Sequence, residues 1–217
     1  MNALAQRLGL QFPLVQAPMA GVQLHALTVA VSEAGALGSL PAAMLTPAAL
    51  RDEVQAIRAK TSRPWNLNFF CHVETAADAQ AEAAWRQALQ PYYDEFGVDA
   101  TAIPAGAARA PFSDEAAALV EECRPPVVSF HFGLPPPARL ERVRRSGAFV
   151  LASATTVDEA RWLQAHGADA VIAQGLEAGG HRGHFLSDDL SRQLGTFALL
   201  PQIKRAVQLP VIAAGGI

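Results

Sequence analysis

The sequence predicts an α/β fold, a (β/α)8 TIM barrel for which the 217 residues supply about seven strands and lack the eighth. Short apolar runs alternate with helical patterns, and the runs do not show the clean in-out alternation of a sheet with one wet face, which indicates a parallel sheet. A doubly wound sheet would show the same alternation, but the first turn reads QAPMAGV and lacks the GxGxxG of a dinucleotide-binding sheet. The last residues, AAGGI, directly follow the seventh run. We therefore expect an incomplete barrel from a longer natural product.

The predicted strands are seven short apolar runs. They cover residues 13–17 (PLVQA), 36–40 (ALGSL), 65–70 (WNLNFF), 127–132 (VVSFHF), 148–152 (AFVLA), 168–173 (ADAVIA) and 210–214 (PVIAA). Their composition is typical of parallel strands that are buried on both faces.

Two of the intervening helices have recognisable ends. Thr46 followed by Pro47 predicts an N-cap with proline at the first helical position, and apolar residues then repeat at helical spacing. Thr156 and Glu159 have the spacing of a capping box, and Gly167 suits the left-handed residue that ends the helix before the next strand.

The interval between the third and fourth runs is much longer than the others. It contains the helix-like EAAWRQALQPYY and the Ala/Pro/Gly-rich TAIPAGAARAP. The sequence predicts an insertion there, over the C-terminal face of the sheet.

Composition excludes several classes of partner. The formal net charge of -3 and the pI near 6.1 give no basic field for a phosphate backbone, so no nucleic-acid partner is expected. Cys71 and Cys123 form no CxxC, which indicates neither a disulfide framework nor a zinc cluster. No run reaches 18 apolar residues and the N-terminus lacks a continuous apolar signal segment, so we predict a cytoplasmic protein with no membrane partner.

Two glycine pairs follow the sixth and seventh runs. Gly179-Gly180 and Gly215-Gly216 stand where small residues let backbone N–H groups approach and hold a phosphate, so the sequence indicates a phosphorylated ligand. The alternative is that each pair only makes a tight turn.

Histidines stand at two strand ends. His181 follows the first glycine pair and is our candidate base, because imidazole moves protons near neutral pH; a histidine that merely closes a loop is the alternative. His181 and His184 lack a nearby third ligand, so we predict no metal site. His131, at the end of the fourth run, faces either the barrel mouth or the helix layer.

Two amides interrupt apolar runs. Asn68 and Gln174 need hydrogen-bond partners if they are buried, and either a heteroaromatic ring or the neighbouring loop backbone would supply them. Pro18 and Met19 pack in the core or in a turn against a flat ring.

These motifs resemble the nitronate monooxygenase family, formerly called 2-nitropropane dioxygenases, which are FMN-dependent (β/α)8 barrels. The similar segments are QAPMAGV, NLNFF, VSFHFGLP, ASATTVDEA, ADAVIAQGLEAGGHRG and LPVIAAGGI, in family order from residue 16 to residue 217. AQGLEAGGHRG is the most specific, and VSFHFG resembles the class that oxidises alkyl nitronates such as propionate 3-nitronate.

The resemblance implies one FMN-binding domain over residues 1–217 that oxidises a small nitronate with dioxygen to a carbonyl compound and nitrite. No nicotinamide is needed, because the substrate reduces the flavin. The implied roles are flavin contact by Ala17, Pro18 and Met19; ring or ribityl contact by Asn68 and Gln174; phosphate contact by Gly179, Gly180, Gly215 and Gly216; substrate contact by His131; and proton abstraction, or holding of the nitronate anion, by His181.

The family carries an eighth strand, further phosphate-site glycines and a C-terminal helical region that the sequence lacks. Closure of the barrel is therefore expected to need self-association or a complementing C-terminal segment. Two rival functions stay open at this point: an FMN-dependent enoyl-acyl-carrier-protein reductase, which has a similar GGH loop, and an inert shortened barrel that binds a phosphate ligand.

Overall fold

The computed structural model describes residues 3–74, 78–103 and 110–217. Contacts divide the chain into two compact units, Met1–His72 with Ala110–Ile217, and Val73–Arg109. The elements are α1 (Ala3–Arg7), α2 (His25–Glu33), β1 (Gly38–Pro41), α3 (Pro47–Lys60), β2 (Trp65–Phe70), α4 (Ala79–Phe96), α5 (Asp114–Cys123), β3 (Val127–His131), α6 (Pro137–Arg145), β4 (Phe149–Ala154), α7 (Val157–His166), β5 (Ala170–Gln174), a 3-10 turn (Leu190–Arg192), α8 (Thr196–Ala206) and β6 (Val211–Ala214).

The six strands form one parallel sheet in the order β1-β2-β3-β4-β5-β6. A doubly wound sheet reverses its strand order at a switch point, and this sheet has no such reversal. It is a curled part of a (β/α)8 barrel, which confirms the predicted fold class. The first predicted strand, residues 13–17, forms only an isolated parallel bridge between Val15 and Leu37.

Predicted and observed strand limits agree to within two residues. The run predicted over 127–132 ends one residue early, because Phe132 has a φ of +67° and Gly133 a φ of +90°. These angles lie outside the strand region, so the chain turns at the mouth of the sheet. All residues of β1, β3, β4 and β5 are buried or partly buried, whereas every residue of β6 is only partly buried.

Alternate strand residues lie on opposite faces of the sheet. Leu67 and Val128 belong to the cluster that packs against the helices. Val127 and Phe149, at the starts of their strands, pack on the other face with Leu10. Burying a side chain of this size contributes about 1.5–3 kcal/mol. Val127, Phe149 and Leu10 thus form an apolar floor of the inner face at the N-terminal ends of the strands. Polar residues occupy the same face further along.

The predicted helix ends are largely confirmed. Thr46 accepts a hydrogen bond from the backbone of Ala49 and so caps α3, and Gly167 ends α7 with a φ of +103°. Thr156 caps α7, but the Glu159 side chain does not complete a capping box: it accepts from the backbone and hydroxyl of Thr155.

The unit Val73–Arg109 contains the long helix that EAAWRQALQPYY predicts. Helix α4 begins after Asp78, whose carboxylate accepts from the backbone of Gln80 and Ala81, and ends at the left-handed Gly97. Part of the predicted Ala/Pro/Gly-rich segment, residues 104–109, lies outside the described residues. The location of this unit over the sheet stays a prediction. Across the three described ranges, no helix is long and apolar enough to cross a membrane.

Candidate functional site

A layer of polar side chains crosses the inner face above the apolar floor. Asn66 donates through Nδ2 to the hydroxyls of Ser39 at 3.0 Å and Ser129 at 2.8 Å, so three neighbouring strands share one network. Asn68, two residues along β2, donates to the same Ser129 hydroxyl at 2.9 Å. The i, i+2 spacing of the two asparagines in WNLNFF is the sequence signal for this layer. The Asn68 amide therefore faces the inner side, near the carboxyl ends of the strands.

A second network fixes the segment that contains Ala17, Pro18 and Met19. Gln16 accepts from the backbone of Ser39 at 3.1 Å and donates to Gln23 at 2.6 Å and to the carbonyl of Ala17 at 2.9 Å. Met19 is 47% exposed, so it does not pack in the core and its side chain is free to meet a ligand. Pro18 is partly buried beside it.

His131 lies on the inner face at the end of β3 with both ring nitrogens engaged. Nδ1 is 2.6 Å from the hydroxyl of Ser153, and Nε2 is 3.4 Å from the backbone carbonyl oxygen of His181. Burial lowers the pKa of His131 from 6.5 to about 4; the hydrogen bond to the His181 carbonyl partly offsets this effect, and the nearby His181 and Arg182 side chains lower the pKa slightly further. The imidazole is therefore neutral near pH 7, and its low pKa makes it a weak base.

His181 lies in the loop that follows β5. Its backbone carbonyl accepts from Gln174 Nε2 at 3.0 Å as well as from His131. Its ring is exposed and makes edge contacts with the rings of Phe70 and Phe132, with centroid distances of 5.5 and 5.8 Å. No hydrogen bond to the imidazole is found within the described residues, and the base role of His181 stays a prediction.

Charged side chains anchor the same loop. Glu177 accepts from the backbone and hydroxyl of Thr196 at 2.7 and 2.9 Å, and these bonds lower the pKa of the Glu177 carboxyl. Arg182 donates twice to the carbonyl of Gly175. The glutamate and arginine of QGLEAGGHRG thus bind different parts of the chain instead of forming an ion pair with each other.

A buried carboxylate, Glu159, anchors the far side of the loop. Besides Thr155, it accepts from the backbone N–H of Phe185 at 2.8 Å and of Leu186 at 3.4 Å. Sequence reasoning placed Glu159 at a helix cap and missed this contact, because the partner lies 26 residues away. Ser153 was also missed; its signal is a lone hydroxyl at the end of an apolar run.

The two glycine pairs have different surroundings. An added Cβ at Gly179 or Gly180 would meet nothing within 4 Å, so the backbone there faces open space. Gly215 has a φ of +115°, and a Cβ would lie 2.8 Å from Thr196 Oγ1 and 2.9 Å from the Ala178 nitrogen. Gly216 has a φ of +71°. Both pairs thus contain a left-handed glycine, because Gly180 has a φ of +76°, but only the first pair leaves room for a ligand.

The structure thus brings His131, Gln174 and His181 into direct contact at one end of the sheet. A cleft of about 400 Å³ opens at the opposite end, lined by residues that include Arg7, Arg144 and Phe149. It contains none of the predicted site residues, and parallel α/β barrels carry their chemistry at the carboxyl ends of the strands.

Comparison with known proteins identifies the chain's relatives. The family profile described as nitronate monooxygenase matches residues 2–217. The chain belongs to the nitronate monooxygenase family. It is 43% identical to a nitronate monooxygenase of Paraburkholderia phytofirmans over 100% of its own length and 59% of that protein's length.

Two solved structures extend the family likeness to the fold. The structure of nitroalkane oxidase from Streptomyces ansochromogenes matches with a TM-score of 0.86 and 39% identity, over 100% of this chain and 61% of that one. The structure of FabK from Thermotoga maritima matches with a TM-score of 0.71 and 28% identity, over 99% of this chain and 54% of that one. The chain spans about 60% of the length of its nitronate monooxygenase relatives.

Two features of the site fit a flavin, one for its phosphate and one for a polar group of its ring or ribityl chain. The backbone around Gly179 and Gly180 is open, and Gly180 has a φ of +76°, the left-handed conformation that occurs in anion-binding turns of successive backbone N–H groups. Asn68 adds an amide whose Nδ2 is held by Ser129, while its Oδ1 accepts no hydrogen bond from any residue in the described ranges. That oxygen is available to a ligand donor.

Proposed function

We propose that the protein oxidises alkyl nitronates, of the size of propionate 3-nitronate, with dioxygen and FMN to a carbonyl compound and nitrite. The observation that carries the proposal is the exposed imidazole of His181, held by its backbone beside Phe70 and Phe132 at the carboxyl ends of β2, β3 and β5. Family membership and the likeness to nitroalkane oxidase support it.

The residues that would hold FMN follow from the geometry. Asn68 Oδ1 would accept from a ring or ribityl donor. Gln174 would donate its second Nε2–H, because the loop already binds its oxygen and its first Nε2–H. Met19, with Ala17 and Pro18, would cover a face of the ring. The phosphate would lie at Gly179-Gly180, with Gly215-Gly216 alongside. Bound FMN would supply electron transfer from the substrate and reaction with dioxygen.

The chain's own residues handle the proton and the anion. His181 takes the α-proton of a neutral nitroalkane at an imidazole nitrogen, or holds the anion when the nitronate is supplied preformed. The rings of Phe70 and Phe132 exclude water on one side, which strengthens the interaction between imidazole and a nitro group. His131 lines the substrate site as a neutral ring. Its Nε2 contacts the loop at the His181 carbonyl and its Nδ1 contacts Ser153.

Domain, location and assembly belong to the same proposal. Residues 1–217 act as one FMN-binding barrel domain in the cytoplasm, with a small nitronate and dioxygen as the substrates. Self-association or a complementing C-terminal segment covers the edge of β6, whose residues are only partly buried.

A visible absorbance spectrum of the purified protein, followed by oxygen uptake with ethyl nitronate, tests the proposal. We expect a flavin spectrum and turnover without NAD(P)H. The GGH loop at Gly179, Gly180 and His181 keeps the enoyl-acyl-carrier-protein reductase as the second candidate. NADH oxidation that depends on an enoyl thioester, with no nitronate turnover, would favour that candidate. A colourless protein, with a colourless longer gene product, would favour the inert phosphate-binding barrel.

A further inference from the structure

Ser153 lies beneath the loop that carries His181. It is the fifth residue of β4, is 3% exposed, and its Oγ is 2.6 Å from His131 Nδ1. It makes no contact with His181 itself in the described hydrogen bonds, so any influence on His181 acts through His131.

The partners of His131 determine which ring nitrogen carries the proton. The backbone carbonyl of His181 can only accept a hydrogen bond, so Nε2 must be protonated to bind it. A neutral imidazole then has an unprotonated Nδ1, which accepts from the hydroxyl of Ser153. The carbonyl therefore sets the tautomer, and the serine hydroxyl, which could also accept, stabilises that tautomer by donating to Nδ1.

Gly183 leaves no spare room above this pair. A Cβ at Gly183 would lie 2.5 Å from His131 Cε1, 2.9 Å from Nδ1 and 3.0 Å from Ser153 Oγ. The loop backbone thus rests directly on the two side chains. A rotated His131 ring would displace the loop two residues from His181.

We propose that Ser153 is a positioning residue for His181: by donating to His131 Nδ1 it stabilises the ring orientation and the tautomer whose Nε2–H contacts the His181 carbonyl. The expected effect of Ser153 on turnover rests on the proposed function, in which His181 takes a proton. The tautomer of His131 is independent of that function.

The ¹⁵N chemical shifts of the His131 ring at pH 7, in the 217-residue protein, test the first step. We expect a protonated Nε2 and an unprotonated Nδ1 in the wild type, and a mixture of both tautomers in Ser153→Ala. Ser62→Ala, at an exposed serine, is the matched control. A protonated Nδ1 in the wild type, or an unchanged tautomer in Ser153→Ala, would overturn the proposal.

Turnover tests the second step. Ser153→Ala should slow oxidation of neutral nitroethane about tenfold, the value of roughly one hydrogen bond, while oxidation of preformed ethyl nitronate stays within about twofold. Equal loss on both substrates would contradict positioning of the base. A wild type inactive on both substrates would defeat the proposed function, and the ring shifts would still decide the tautomer.

Discussion

The side-chain oxygen of Gln174 accepts a hydrogen bond from the backbone N–H of Gly183 at 2.7 Å. The same side chain donates to the carbonyl of His181. One buried amide at the end of β5 therefore holds the loop on both sides of Arg182, which explains a polar residue at the end of an apolar strand.

Replacing Gln174 by leucine should destabilise the protein. The change leaves the N–H of Gly183 without a partner in a buried position, at a cost of about 1–3 kcal/mol in the free energy of unfolding. Urea unfolding measures it. Gln55→Leu, at an exposed position of α3, is the control and should change stability by less than about 0.5 kcal/mol. Equal stability of the two variants would mean that the Gln174 bonds contribute nothing.

His181→Asn should separate the two kinds of substrate. Oxidation of a neutral nitroalkane requires proton abstraction, so its kcat/KM should fall by about 10²–10⁴, whereas a preformed nitronate should be spared. Steady-state oxygen uptake with nitroethane and ethyl nitronate gives the ratio. His166→Asn, at an exposed histidine of α7, serves as control and should leave both rates unchanged. A similar loss on both substrates would rule out the base role.

Alanine at the two glycine pairs should give opposite results. Gly215→Ala places a Cβ at a φ of +115° against Thr196 and should destabilise the fold by about 1–3 kcal/mol. Gly179→Ala meets open space and should leave stability unchanged or slightly raised, because alanine reduces the freedom of the unfolded chain. Flavin fluorescence titration should nevertheless show weaker binding by Gly179→Ala. Unchanged flavin affinity would remove Gly179 from the phosphate site.

The depressed pKa of His131 makes stability depend on pH. Above pH 6.5 neither the folded nor the unfolded histidine binds a proton; between 6.5 and about 4 only the unfolded one does. Stability is therefore present near pH 7 and lost as the pH falls through this window, by up to the order of 3 kcal/mol. Urea unfolding at pH 7 and pH 4.5 should show a steeper fall for the wild type than for His131→Gln. Parallel falls would assign the acid sensitivity to other groups.

Glu159→Gln should loosen the far side of the loop. One carboxylate oxygen accepts from the backbone and hydroxyl of Thr155, and the other accepts from the backbone of Phe185 and Leu186. Glutamine has a single acceptor oxygen, so one of these two sides loses its acceptor. Hydrogen exchange of the Phe185 amide or of the Thr155 amide should therefore rise at least about tenfold. Glu141→Gln, at an exposed position of α6, should leave both amides unchanged. Unchanged exchange in Glu159→Gln would show that the loop is held without the carboxylate.

The sequence by itself determined the class of the fold, because hydrophobic runs, caps and turn glycines are local signals. The strands from residue 36 onward, the cap at Thr46 and the turn at Gly167 are all as predicted. The first run, residues 13–17, contains the same kind of local signal but forms a single bridge, since pairing depends on a neighbouring strand. His181 and the two glycine pairs are predicted site residues for the same local reason, because they follow strands at whose carboxyl ends a barrel carries its site.

Only the tertiary structure decided what these residues contact. These contacts join partners between 7 and 50 residues apart in the sequence. They include the hydrogen bonds of His131, the hydrogen bonds from Gln174 to the loop, and the contacts of Ser153 and Glu159. Hydrogen bonds and burial at such separations arise from packing, and one sequence contains no record of which distant groups meet. The two glycine pairs look alike in the sequence, and only the tertiary structure shows that Gly215 packs against Thr196 while Gly179 and Gly180 face open space.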